Sequence, residues 1–187
     1  MMLRLLFISL FMLFHITSKA SSMSDIHLLR KEFNLALEDG KKANILFDEL
    51  SKLKPAQNTL QFAYLGATEA LLAKHSFNPF SKLSYVNSAL VKLNKAVALN
   101  GTNIEIRYMR FSVEANMPAY LGYSKHINED KISLLEGLKN TEITKDNCEM
   151  HKVFALGILN SIKCNKEEQT LLTSLVAACN HAKQIKN

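Results

Sequence analysis

From Ile26 to the C-terminus, apolar residues recur every three or four positions, and no stretch carries a confident two-residue alternation. Ile26, Leu29, Phe33 and Ala36/Leu37 form one stripe. Beyond Gly40, Ala43, Leu46/Phe47, Leu50 and Leu53 form a second that stops before Pro55. This spacing predicts two antiparallel helices joined by a short turn. Leu60, Tyr64, Ala67 and Leu71 predict a third helix, with Asn58 and Gln61 placed as a capping box. "HSFNPF" interrupts the pattern, and Asn78-Pro79 reads as an N-cap followed by proline in the first turn. Leu83, Val86, Leu90, Leu93 and Val97 carry a fourth helix that ends at "LNGT", where Gly101 suits the left-handed C-terminal position.

Asn103 caps a fifth helix, with Glu105 in the first turn, where the helix dipole favours negative charge. Its core stripe reads as Ile106, Met109 and Val113, with Tyr108 and Phe111 on flanking faces, and Pro118 ends it. Ile132, Leu135 and Leu138 mark a short helix, and Met150, Phe154 and Ile158 a longer one. Leu172, Leu175, Cys179 and Ala182 mark the last helix, capped by "NKEE" from Asn165. The expectation is an all-α protein of about eight helices. Three prolines and six glycines supply little of the punctuation a many-stranded fold needs.

The first residues change the domain picture. "MMLRLLFISLFMLFHITSKA" joins an early Arg4 to an apolar run from Leu5 to Ile16 and a small-residue step at Ala20, the anatomy of a signal peptide spanning 1–20. The run is shorter than the ~20 apolar residues a membrane span needs. Residues 21–187 are therefore expected as one exported α-helical domain, periplasmic or extracellular, with no stable membrane insertion after cleavage. The formal charge of +6 falls to +4 when Arg4 and Lys19 leave. The remaining lysines are spread without a basic run, which argues against nucleic acid as a partner. Cys148, Cys164 and Cys179 all lie in the last quarter. Cys164 with Cys179 is the easiest pair to form and leaves one cysteine over; the alternative is three small buried hydrophobes.

A period emerges in the first half. In "ALVKLNKAVALNGTNIEIRYMR", Ala89 and Ala96 take small positions, Leu93 a position usually aromatic, and Gly101 the place of a turn proline. In "ANILFDELSKLKPAQNTLQFAYLG", Ala43, Phe47, Leu50 and Pro55 fall likewise. Small residues let paired helices cross closely. Residues 26–116 thus resemble the tetratricopeptide repeat family, although "KHSFNPF" lengthens the period between Tyr64-Leu65-Gly66 and the following helix. The resemblance implies antiparallel helix pairs in a short right-handed stack, with residues 119–187 as additional C-terminal helices. "EIRYMRFSVEANMPAYLGYSKHINEDK" is also similar to uncharacterised exported bacterial proteins of the Bacteroidetes type, a group that implies no reaction.

Candidate chemistry concentrates between Asn103 and Tyr123. Arg107 and Arg110, three residues apart, share a helix edge and can together grip a carboxylate or phosphate. The competing reading pairs Arg110 with Glu114 and lays the Arg107 stem on neighbouring helices. In the following loop, Asn116, Tyr120, Tyr123 and His126 offer a polar pocket. Alternatively they form a tight connection in which Asn116 satisfies the helix end while Tyr120 and Leu121 plug onto the core. Cys148 and His151 stand one turn apart, but their spacing to the other cysteines and to His181 matches no metal motif, so no metal or other cofactor is expected. There is no nucleophile elbow, glycine-rich phosphate loop or zincin motif. These readings lead to a non-enzymatic scaffold binding a protein or peptide, with Arg107, Arg110, Asn116, Tyr120 and Tyr123 as candidate contacts. The alternative is a small carrier or enzyme with a pocket between the 103–116 helix and the 117–127 loop. Exposed guanidinium groups favour the first, a closed apolar cavity the second, and internal carboxylates on both arginines a purely structural role.

Overall fold

The computed structural model describes residues 25–52 and 58–184. The expected signal segment 1–20, Leu53 and Pro55, and the side chains of His181 and Ala182 lie outside what it describes. Among the described residues the chain forms α1 (Ile26–Ala36), α2 (Gly40–Leu50), α3 (Thr59–His75), α4 (Pro79–Leu99), α5 (Ile104–Ala115), α6 (Ile127–Asn140), α7 (Cys148–Ser161) and α8 (Lys166–Gln184). Among the same residues a single 3₁₀ turn lies at Ala119–Leu121, and there is no strand. The all-α expectation is met.

The helix starts are set locally. Asn58 Oδ1 accepts the Gln61 N–H, Asn78 Oδ1 those of Phe80 and Ser81, and Asn103 Oδ1 those of Glu105 and Ile106. At Asn165 both halves of a capping box form: its Oδ1 accepts from Glu168 N at 2.9 Å while its own N–H donates to Glu168 Oε2 at 2.9 Å. Gly101 departs from expectation, since the one described residue with a left-handed φ is Gly122, which closes the 3₁₀ turn. Gly101 is instead a site of close approach: its carbonyl accepts from Arg107 Nε at 2.8 Å, and an added Cβ would stand 3.1 Å from Arg107 Nη2.

Each helix packs on the next, and α1, α3, α5 and α7 also touch in succession, forming one row. Side chains show that α1 and α3 run in one direction, with the first turn of α5 beside their first halves. Arg30, Tyr64 and Glu105 meet in their first halves, while His75 Nε2 lies 3.0 Å from the Ala36 carbonyl at the ends of α1 and α3. Two apolar clusters share α5. Ile106 and Met109 join Leu29, Leu50, Leu71 and Leu93 on one side; Phe111, with Tyr108 beside it, joins Leu134, Phe154, Ile158 and Leu172 on the other. Fully burying each such leucine or phenylalanine contributes about 1.5–3 kcal/mol. A single helix therefore cements both halves. Helix α3 is buried on nearly every side, and Gly66 lets α4 come close: a Cβ there would meet the Ala89 carbonyl oxygen, Leu93 Cγ and Lys92 Cβ, each at 3.1 Å.

Two stripes are rotated from their predicted positions. In α6, Ile132 is exposed and the inward residues are Asp130, Leu134 and Leu138, a stripe that carries two leucines into the second apolar cluster and Asp130 to the arginines of α5. In α4, fully buried Ala89 and Ala96 centre the packed face and leave Leu83 outside it.

The cysteine pairing also differs. The disulfide joins Cys148, the first residue of α7, to Cys179 on α8, with Cα atoms 5.4 Å apart, and Cys164 is a buried free thiol. The expected Cys164–Cys179 bridge is excluded by α8 itself. From Lys166 to Cys179 the helix rises roughly 20 Å at ~1.5 Å per residue, against the ~7 Å limit for bridged Cα atoms.

Candidate functional site

The arginine edge of α5 is built inward. Asp130, fully buried, accepts from Arg110 Nε at 2.8 Å and Nη2 at 2.7 Å, and from Arg107 Nη1 at 2.9 Å. Arg107 Nη1 also donates to Glu129, Arg110 Nη2 lies 3.4 Å from Glu129 Oε1, and Arg110 Nη1 donates to Asn94 Oδ1 at 3.1 Å. The Arg110 side chain is only 5 % exposed. Burial opposes the charge on Arg107, but its hydrogen bonds to Glu129 and Asp130 outweigh this and hold its pKa above the ordinary value. The bond from Arg107 in turn lowers the Glu129 carboxyl. Neither arginine is a free anchor, so as candidate contacts both are corrected. The pairing of Arg110 with Glu114 is corrected too: Glu114 is buried and takes the His126 N–H at 2.7 Å and its Nδ1 at 2.6 Å.

Two further ion clusters carry no local sequence signal. Glu105 Oε1 accepts from Arg30 Nε at 2.8 Å and from the Tyr64 hydroxyl at 2.6 Å, and Arg30 Nη2 reaches Oε2 at 2.6 Å. The bond to Glu105 raises the Arg30 pKa, and burial, helped by the Glu105 charge, pushes the Tyr64 phenol up. Glu69 accepts from Lys92 Nζ at 2.6 Å, which also donates to Ser88. Partners of such groups lie 23, 41 or 75 positions apart, beyond any helical periodicity. These carboxylates fasten α1 to α5 and α3 to α4.

The loop residues divide. Asn116 meets its helix-end expectation, its Nδ2 donating to the Ser112 carbonyl at 2.7 Å. Tyr123 donates to Asn87 Oδ1 on α4 at 2.7 Å. Tyr120, expected to plug the core, is 86 % exposed, and Leu121 is exposed beside it. Val113, Met117 and Tyr123 pack on Val86 and Leu90, so side chains fill the space beneath the loop where the carrier reading places a cavity.

What the structure brings together instead is an apolar face. Phe77 is 101 % and Phe80 83 % exposed, and Leu83 and Val91 are exposed as well. Phe80, Leu83, Asn87 and Val91, spaced by three, four and four residues, share one side of α4. Because Tyr123 is bonded to Asn87, the turn bearing Tyr120 and Leu121 adjoins that side. The apolar spacing places Leu83 in the core; Phe77 falls in the "HSFNPF" interruption, and Phe80 follows Pro79 in the first turn of the expected helix. The signal for them was the aromatic content of "HSFNPF" next to a helix whose apolar positions exceed one face. Comparison with models of protein families, with curated proteins and with solved structures finds no match for this chain.

Proposed function

We propose that this chain is an exported, non-enzymatic α-helical scaffold that binds a protein or peptide. In this reading the seat is the α4 face with the 119–123 turn, in place of the arginine edge. The observation that carries it is the run of exposed Phe77, Phe80, Leu83 and Val91 beside Tyr120 and Leu121. Aromatic residues are the usual anchors of protein interfaces, and contiguous apolar patches mark interaction sites. The row formed by α1, α3, α5 and α7 supports the tetratricopeptide-type reading of the first half, and the 1–20 segment supports export. A photo-crosslinking residue at position 80 or 120, in cells producing the protein, is expected to give discrete protein adducts. The same residue at exposed Ile45 on α2 is expected to give none. Equal labelling at all three positions, or no adduct at 80 and 120, overturns the reading.

A further inference from the structure

We infer that the seat along α4 takes an acidic amphipathic helix of about three turns, an inference that rests on the protein-binding reading above. The first argument is shape. From Phe80 to Val91 the stripe runs roughly 16 Å along the helix axis at ~1.5 Å per residue. The 119–123 turn flanks it through the bond between Tyr123 and Asn87. A ridge of that length beside a wall fits a rod laid lengthwise better than it fits a flat bilayer surface. The described residues contain no sheet edge to which an extended peptide could add, so a helix presenting its own i, i+3, i+7 apolar positions is the matching form.

The second argument is charge. No carboxylate occurs between Glu69 and Glu105, an interval holding Lys74, Lys82, Lys92 and Lys95, nor between Glu114 and Glu129, which holds Lys125. Lys92 is taken up by Glu69, and Lys74 by Glu38 and the Leu37 carbonyl. Lys82, Lys95 and Lys125 remain exposed, with no ion pair among the described residues; Lys95 Nζ lies 5.9 Å from the Phe62 ring centroid, and Lys82 is turned away from the stripe. Of these, Lys95 follows Val91 by one turn on α4, and Lys125 follows the turn bearing Tyr120. An apolar strip rimmed by one sign of charge selects a partner carrying apolar residues flanked by aspartate or glutamate, and charge of that sign speeds the encounter.

The test pans a phage-displayed library of random peptides, about three helical turns long, against the mature chain. A Phe80→Ser/Leu83→Ser variant serves as counter-target, with an unchanged thermal midpoint as its folding control. Expected are peptides with apolar residues at helical spacing and flanking acids. The tightest, once synthesised, should bind the variant at least ~10-fold more weakly. It should also lose several-fold in affinity to Lys95→Glu/Lys125→Glu or on raising the salt. Basic or uncharged consensus peptides, binding indifferent to either variant, or no enrichment at all overturn the inference. So does seat-dependent sedimentation with phosphatidylglycerol vesicles, or a dimer abolished by Phe80→Ser/Leu83→Ser, when no acidic peptide is enriched. Protein adducts at position 80 together with any of these failures would leave the protein-binding reading standing and remove only the acidic helix.

Discussion

Replacing Asp130 by alanine should be among the most damaging single changes in this protein. The carboxylate is fully buried and holds Arg107 and Arg110 through three hydrogen bonds, so its loss strands a guanidinium that has little access to water. Removing one partner of a buried ion pair costs roughly 3–5 kcal/mol. Glu129 and Asn94 remain near Arg110, at 3.4 and 3.1 Å, which places the expected loss near the bottom of that range, at about 3 kcal/mol. For a domain of this size the thermal midpoint should fall by about 6–12 °C. Urea unfolding of the protein, followed by far-UV circular dichroism, measures the loss directly. Asp130→Asn should lie between wild type and alanine. Asp130→Leu combined with Arg110→Met should recover part of the loss, since both buried charges leave together. A loss below about 1 kcal/mol for alanine, the value of an exposed pair, would refute the claim that the cluster is desolvated. A double variant no better than the sum of its singles would refute the coupling.

Other outcomes follow from the same packing. His151 is buried, its Nδ1 has no hydrogen-bond partner, and burial lowers its pKa below the ordinary 6.5. A neutral buried histidine stabilises fully above the unfolded pKa and loses that contribution as pH falls through 6.5 toward the folded value. Wild type should therefore lose stability relative to His151→Leu as pH falls below about 6.5, with a constant difference above about pH 7; a constant difference throughout would contradict the burial. Peptide mapping without reductant should recover Cys148 linked to Cys179, with Cys164 alone titrating as a thiol after denaturation. Cys148→Ser should lose up to about 4 kcal/mol on the loop-closure model. Gly66→Leu should cost about 1–3 kcal/mol through overpacking, since the Ala89 carbonyl 3.1 Å from the added Cβ belongs to helix backbone; a neutral result in denaturant would show that α3 and α4 can separate.

Much of the fold was legible along the chain. Caps at Asn58, Asn78, Asn103 and Asn165 are local devices in which side chain and backbone lie within a few residues, so their positions survive folding unchanged. Helix number and order follow from periodicity for the same reason. The errors share another cause. Ile132 and Leu83 are apolar at helical spacing, but the face that turns inward holds Asp130, Leu134 and Leu138 in one helix and Ala89 and Ala96 in the other. The cysteine pair was misread because sequence proximity across α8 is a long straight distance in space.

The candidate site was legible only as a neighbourhood. Arg107 and Arg110 drew attention as charges in an apolar pattern, yet their partners arrive from α6 after a loop, so only the tertiary fold decides that they face inward. Glu105, marked as a first-turn acid, proved to be the meeting point of α1, α3 and α5. By itself the sequence determined the helical class, the helix ends and the segments rich in aromatic side chains, because hydrogen bonding and periodicity act over one or two turns. The tertiary structure alone decided which charges are consumed in the core and which apolar residues remain outside it. Burial is a property of surfaces brought together from distant positions, and no single helix carries that information.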